Sequence, residues 1–309
     1  MTRLAGKVAL VTGAGRNIGR AEALMLAKQG ARVVVNDVRA SPYDAEPGDD
    51  SFADSVAREI QEAGGEAVAI TGSVATRKGA EAAVQHALDS FGRIDILVNN
   101  AGIVRPARID KMSDDDWFAC LDVSLTASFY TVRAAAKRMI EQRGGVIINT
   151  GSPSGFGHWG MANYSAAKEG LLGFTRTIAR DLGEFGIRCN HVRPVSHITG
   201  TFTPAVQQTI EESARLDIPL LWNRPMSSPR MSALPEHVAA LVVWLCTDAA
   251  SHISGRDFFI QGDEVAVLPE PEAIRTSINP GGWTLDAFDD PANRSYLFGD
   301  IQNRFIGTS

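Results

Sequence analysis

Seven strand-like segments, most of them short apolar runs, punctuate the chain, at residues 8–11, 33–35, 67–70, 94–98, 146–149, 187–192 and 258–260, each separated from the next by enough residues for a helix. Val33-Val34-Val35 shows the type: consecutive β-branched residues with no polar position between them. A strand that is apolar on both faces offers neither face to water, so both must be covered. Such runs alternating with helical segments specify an α/β fold, a doubly wound parallel sheet of about seven strands with helices on both sides. Residues 21–29 read as the first covering helix, with Gly30 as its stop.

Composition narrows the class. With 44% hydrophobic and 21% charged residues, the 309-residue chain has the balance of a globular protein with one large core. The rhythm fits a single domain over residues 1–266. A net charge of −6 leaves no basic surface for nucleic acid. The apolar runs are far too short to cross a bilayer, so no membrane partner is expected. No charged, then apolar, then small-residue leader opens the sequence, and Cys120, Cys189 and Cys246 are odd in number and widely spaced. Both features imply a cytoplasmic protein with neither a disulfide frame nor a metal site.

Two stretches break the rhythm. Residues 39–54 form an acidic, proline-containing insertion longer than an ordinary loop, and residues 267–309 form a C-terminal extension after the last strand. The extension holds Trp283, Phe288, Tyr296, Phe298 and Phe305 among its prolines and glycines. So many aromatics in an arm imply packing, on its own domain or a neighbouring subunit, with a short helix at 285–288.

The chemistry-bearing residues fall where this fold would use them. Thr12-Gly13-Ala14-Gly15-Arg16-Asn17-Ile18-Gly19 joins the first strand to the first helix. Glycines allow a tight turn there, and the open amides of a helix N-terminus suit a pyrophosphate. Asn17 stands where a further glycine would be usual; asparagine tolerates left-handed backbone angles. Asp37 closes the second strand, where a carboxylate can bind both ribose hydroxyls and repel a 2′-phosphate. That favours NAD over NADP, with Arg16 as the counter-indication. Tyr164 and Lys168, four apart, share one helical face, and an ammonium beside a phenol favours the phenolate. Such a tyrosine can exchange a proton with an alcohol or ketone. Ser152 follows the fifth strand and can hold the substrate oxygen, with Ser154 as its rival.

Taken in this order, the glycine turn, Asn99-Asn100-Ala101-Gly102, Ser152 and Tyr164-Ser165-Ala166-Ala167-Lys168 resemble the short-chain dehydrogenase/reductase family, over roughly residues 4–265. The resemblance implies a Rossmann-like fold and a nicotinamide cofactor. It implies Gly13, Arg16, Asn17, Ile18, Gly19, Asp37, Ser73, Val74, Asn100, Tyr164, Lys168, Ile198 and Thr199 as cofactor contacts, and Ser152, Tyr164, Lys168 and Ser124 as the catalytic set. Ser124 replaces an asparagine that in many relatives anchors a water chain to the lysine. Ser73 replaces an acidic residue near adenine, and Val195 a glycine before the loop that covers nicotinamide. The segment 162–173, with 34–37 and 241–246, is similar to the hydroxyacyl-CoA dehydrogenase domains of multifunctional β-oxidation enzymes and bacterial kin. A homotetramer or homodimer is implied, with Ala134-Ala135-Ala136 and the Gly170–Gly173 turn of the helix as packing surfaces.

For the substrate, the proline-rich apolar segment 200–234 suggests a hydrophobic lid, with Phe202, Trp222 and Trp159 as candidate walls. It suits a medium-sized cyclic, terpenoid or steroid-like secondary alcohol or its ketone, with a 3-hydroxyacyl-CoA as the alternative. A catalytically silent nucleotide-binding or scaffold protein is the reading from another class. His158, His191 and His197 have no ligand spacing and are assigned no chemistry.

Overall fold

A computed structural model describes residues 2–38, 51–196, 203–218 and 233–301. Its centre is an eight-stranded sheet in the order β3-β2-β1-β4-β5-β6-β7-β8. The strands are β1 (Val8–Thr12), β2 (Arg32–Asp37), β3 (Ala67–Thr71), β4 (Ile96–Asn99), β5 (Gly145–Thr150), β6 (Ile187–Val195), β7 (Asp257–Gln261) and β8 (Glu264–Val267). The first seven run parallel; β8 folds back antiparallel on β7 through Gly262-Asp263. All seven expected strands are present. The eighth extends the sheet across the expected boundary at residue 266.

Helices α1 (Asn17–Lys28), α2 (Phe52–Glu62), α3 (Arg77–Phe91), α4 (Asp114–Leu121), α5 (Ala127–Gln142), α6 (Ala162–Leu182), α7 (Pro204–Arg215) and α8 (Pro235–Leu245) surround it. Alternate strand residues feed two cores. Ala9, Val11, Val33 and Val35 pack against α1, α2 and α8, whereas Val8, Leu10, Val34 and Leu97 pack against α3, α5 and α6. This is why the runs 8–11, 33–35 and 96–98 carry no polar position. β1 pairs with β2 on one side and β4 on the other, so the strand order reverses there. A crevice opens at the carboxyl ends beside such a switch point.

A ladder of buried polar side chains ties this sheet end together. Thr131 donates to Asn99 at 2.7 Å, Asn99 to Asn149 at 2.9 Å, and Asn149 to Thr175 at 2.9 Å. Asn99 is thereby committed to structure. Of the surfaces expected to serve assembly, Ala135 is in the core and Gly170 faces Leu125, while Gly173 is exposed with open space above it.

The extension forms α9 (Leu285–Asp289), where a helix is expected, and α10 (Pro291–Phe298). Trp283 stacks on Phe288 at 4.8 Å, and Phe298 leans on the same ring at 6.3 Å. No residue from 268 to 301 is buried, so among the described residues the aromatics pack on each other rather than on their own core.

Candidate active site

The switch-point crevice is a cavity of about 680 Å³ whose lining runs from Asp37 at one end to Val206 and Ile210 at the other. The glycine turn shapes its first part. Gly13 has φ +62°, and a Cβ there would lie 2.9 Å from the Ala101 Cα; a Cβ on Gly19 would collide with Asn100 and the Gly13 carbonyl. Asn17 takes the left-handed conformation, φ 51°, that its place in the turn demands. Helix α1 starts four residues earlier than its apolar pattern indicates, because the turn residues supply its first turn. Arg16 at the N-cap offers no side-chain acceptor, and the first turn holds no acidic residue. Its leading amides thus stay open to an anion.

Asp37 closes β2 against that turn, its carboxylate accepting from Gly15 N at 2.8 Å and Val38 N at 2.7 Å. Burial raises its pKa, and the two amides and the nearby Arg16 charge oppose that rise. Arg16 lies over the Phe52 ring, 4.4 Å from its centroid. Ser73 and Val74 line the same end. Asn100 spends its amide donors on Thr12 O, at 3.0 Å, and Gly13 O, at 2.9 Å, so it braces the turn while lining the cavity. A groove that side chains would fill, an uncapped helix start and a carboxylate at the end of β2 together fit a dinucleotide.

The expected catalytic residues meet farther along. Tyr164 and Lys168 both lie on the buried side of α6, and both line the cavity with Ser152. Lys168 Nζ donates to Thr150 O at 2.6 Å and stands 5.6 Å from the Tyr164 ring centroid. Burial lowers its pKa to about 8. Ser152 Oγ accepts from Ser154 N at 3.1 Å, which leaves the Ser152 proton free to donate. Ser154, the rival, also lines the cavity but directs its hydroxyl to His158 Nδ1 at 3.2 Å.

Ser124 sits in a π-helical turn, Asp122–Thr126, between α4 and α5. Its hydroxyl is buried and without a partner among the described residues. A Cβ built on Gly102 would fall 3.2 Å from Lys168 Nζ and 3.4 Å from Ser124 Oγ, so the missing side chain keeps a space between them. Ile198, Thr199, His197, Phe202 and Trp222 lie outside the described residues, as do residues 39–50 of the insertion. Trp159 is half-buried and does not line the cavity.

Several supporting residues escape sequence reasoning. Asn163, fully buried, donates to Arg105 O and Asp116 O, both at 2.9 Å, and accepts from Tyr164 N at 2.7 Å, fixing the start of α6. Arg193, also fully buried, donates to Ser152 O at 3.0 Å and to both carboxylate oxygens of Asp257, and lies 4.3 Å over Phe156. Asp257 also binds His191 Nδ1 at 2.7 Å. His191 is thus structural, as expected, whereas His158 reaches the cavity wall. Pairing of β6 with the first residue of β7 creates this cluster, and no local motif announces it. Among the described residues no group of three or more His, Cys, Asp or Glu could hold a metal, and no helix is long and apolar enough to cross a membrane.

Comparison with known proteins converges on one group. A family model described as short chain dehydrogenase matches residues 7–210. The chain is 40% identical to a 3-oxoacyl-(acyl-carrier-protein) reductase of Synechocystis, over 86% of this chain and 99% of that protein. It is 36% identical to hydroxyacyl-CoA dehydrogenase ChsB1 of Mycobacterium tuberculosis, over 99% and 94%. With peroxisomal multifunctional enzyme type 2 of mouse it shares 40% identity across 82% of this chain but only 31% of that longer protein. The crystal structure of a short chain dehydrogenase from Mycobacterium avium superposes with a TM-score of 0.78 at 35% identity, covering 98% of both chains.

Proposed function

Since the chain belongs to the short-chain dehydrogenase family, we propose that it is an NAD-dependent oxidoreductase interconverting a secondary alcohol and a ketone, with a 3-hydroxyacyl or 3-oxoacyl thioester as its substrate class. The observation that carries the reading is the meeting of Ser152, Tyr164 and Lys168 in one cavity with the Asp37-closed glycine turn. Asp37 supports NAD, because a second negative charge beside its carboxylate would be repelled. Arg16, stacked on Phe52, is the residue that would favour the phosphate-bearing cofactor.

The cofactor's pyrophosphate would rest on the turn 13–19, its adenosine ribose on Asp37, and its nicotinamide ribose near Lys168, Tyr164 and Asn100. Bound nicotinamide supplies the hydride acceptor or donor. In alcohol oxidation Tyr164, as phenolate, takes the hydroxyl proton, while Ser152 donates its free proton to the same substrate oxygen. Lys168 favours the phenolate by its charge, and with a pKa near 8 it is still cationic at neutral pH. Ser124 faces Lys168 across the space left by Gly102, where one water can link hydroxyl and ammonium to return the proton.

The substrate class rests on the names of the relatives and on the apolar far end, where Val104, Met161, Tyr164 and Val206 pack together. The cyclic, terpenoid or steroid-like alcohol expected from the sequence depends on segment 200–234, of which only residues 203–218 and 233–234 are described. The acyl thioester therefore takes precedence. A homotetramer or homodimer in the cytoplasm accompanies this reading, with the exposed aromatics of the extension seated on a neighbouring copy.

The test is reduced-nicotinamide absorbance with short and medium 3-hydroxyacyl-CoA thioesters, and with cyclic secondary alcohols, each with NAD and NADP. Turnover of the thioesters with NAD is expected. Preference for cyclic alcohols would overturn the substrate class, and tight NAD binding without turnover on any substrate would favour the silent protein.

A further inference from the structure

His158 is a buried imidazole that the mechanism above does not use. It lies on the cavity wall between the catalytic loop and α7, with Ser154 Oγ 3.2 Å from Nδ1 and Thr209 Oγ1 3.3 Å from Nε2. The directions of these bonds follow from the neighbours. Thr209 donates its only hydroxyl proton to Val206 O at 2.7 Å, within α7, so toward His158 it can only accept. Nε2 therefore carries the ring proton. Nδ1 is then the acceptor, and Ser154 must donate to it. Burial lowers the imidazole pKa to about 4, which keeps the ring in this one-donor, one-acceptor form.

The chain continues past Ser154. Its backbone N–H donates to Ser152 Oγ at 3.1 Å, the bond that leaves the Ser152 proton for the substrate. Five groups thus stand in line, from Val206 O and Thr209 on α7, through His158 and Ser154, to the Ser152 hydroxyl. We propose that His158 is a positioning residue that transmits the seating of α7 to the orientation of the Ser152 hydroxyl. The proposal rests on the reading of Ser152 as the group that holds the substrate oxygen. It goes beyond that reading by making the wall against which a substrate packs, Val206 and Ile210 of α7, part of the device that orients the serine.

Both links to His158 can be cut without touching Ser152, Tyr164 or Lys168. Ser154→Ala removes the hydroxyl bond to His158 while keeping the backbone bond to Ser152 Oγ, and Thr209→Val removes the bond on the other side of the ring; His158→Phe removes the strut, and His158→Gln keeps one donor and one acceptor. In steady-state assays with NAD and a 3-hydroxyacyl-CoA, each single cut is expected to lower kcat about tenfold, within the range for a small misplacement of a reacting group, with KM nearly unchanged. The double variant Ser154→Ala/Thr209→Val should be no slower than either single, because a chain already broken has nothing more to lose. His158→Gln should recover part of the rate lost in His158→Phe. A double variant showing the product of the two single effects, about a hundredfold, would overturn the proposal.

Amide hydrogen exchange of α7 in substrate-free protein supplies an arm independent of turnover. Ser154→Ala alters a side chain whose hydroxyl bonds His158 rather than α7, yet it should speed exchange over residues 204–215 as Thr209→Val does. Unchanged α7 exchange in Ser154→Ala refutes the coupling whether or not the wild-type protein turns over. Wild-type protein that turns over nothing refutes the functional reading alone, and the exchange result then decides the coupling.

Discussion

Glu22 gives the sharpest quantitative test of the fold. It lies on the buried face of α1, which packs against α8, and it is fully buried. Neither carboxyl oxygen has a hydrogen-bond partner among the described residues. Burial pushes its pKa from 4.5 up to about 8, so the folded protein holds it as a neutral acid at neutral pH. Below pH 4.5 the group is neutral folded or unfolded. Between 4.5 and 8 the unfolded chain releases the proton and the folded chain keeps it, so stability falls as pH rises. Above 8 both states are ionised and the loss levels off. At about 1.4 kcal/mol per unit, the penalty reaches about 3 kcal/mol at pH 7 and about 5 kcal/mol above pH 8, upper values because water entry and relaxation reduce the cost of burying charge.

Glu22→Gln preserves shape and cannot ionise. Urea unfolding followed by tryptophan fluorescence, at fixed protein concentration and several pH values, isolates the effect as variant minus wild type. The variant is expected to gain on the wild type by about 3 kcal/mol between pH 5 and pH 7.5. Parallel stability curves over that window would refute the reasoning, since they would require an ionised Glu22 in the folded protein.

Four further outcomes follow from the site. Tyr164→Phe removes only the hydroxyl and should cut kcat at least about a hundredfold while NAD binding, read by fluorescence titration, persists. Asp37→Ala removes the charge proposed to meet the adenosine ribose and should lower the NAD-to-NADP ratio of kcat/KM at least about tenfold, since like-charge contact costs a few kcal/mol. Ser124→Ala deletes a buried hydroxyl that has no partner among the described residues, so Tm should hold or rise while kcat falls; a fall in Tm with unchanged kcat would remove Ser124 from the relay. Asn17→Gly should fold at least as well as wild type, whereas Asn17→Val should lose about 1–2 kcal/mol at φ 51°, measured by denaturant unfolding.

Strands such as β1 and β2 were legible because burial on both faces keeps polar residues out of their middles, and the glycine turn because its backbone demands glycine or asparagine. Strand β8 was missed although Gly262-Asp263 is a hairpin signal, with Gly262 at φ 54°. Val265-Ala266-Val267-Leu268 is itself apolar, but it follows β7 with no room for a helix, so the alternation of strand and helix does not announce it. Helix α10 was hidden behind Pro291, read as a breaker, whereas Asp290 caps the first turn and proline at that position is compatible with a helix start. The π-turn that carries Ser124 has no composition signature at all.

The same division runs through the site. Tyr164, Lys168 and Asp37 are readable because each does its work within one element or at its end, where spacing is encoded locally. The residues that hold the catalytic loop are not: Arg193 reaches Ser152 across 41 positions, Asp257 reaches Arg193 across 64, and Thr209 reaches His158 across 51. Such partners acquire meaning only when the sheet and α7 bring distant segments side by side. An arginine on a strand interior, as in Ile187–Val195, reads locally as an error in an apolar pattern. A fully buried guanidinium is tolerated only because Asp257, Glu169 and the Ser152 carbonyl surround it. Polar residues that violate a buried pattern without local reason therefore deserve to be tested first as supports of the nearest strand-end chemistry, and Arg193 satisfies that rule.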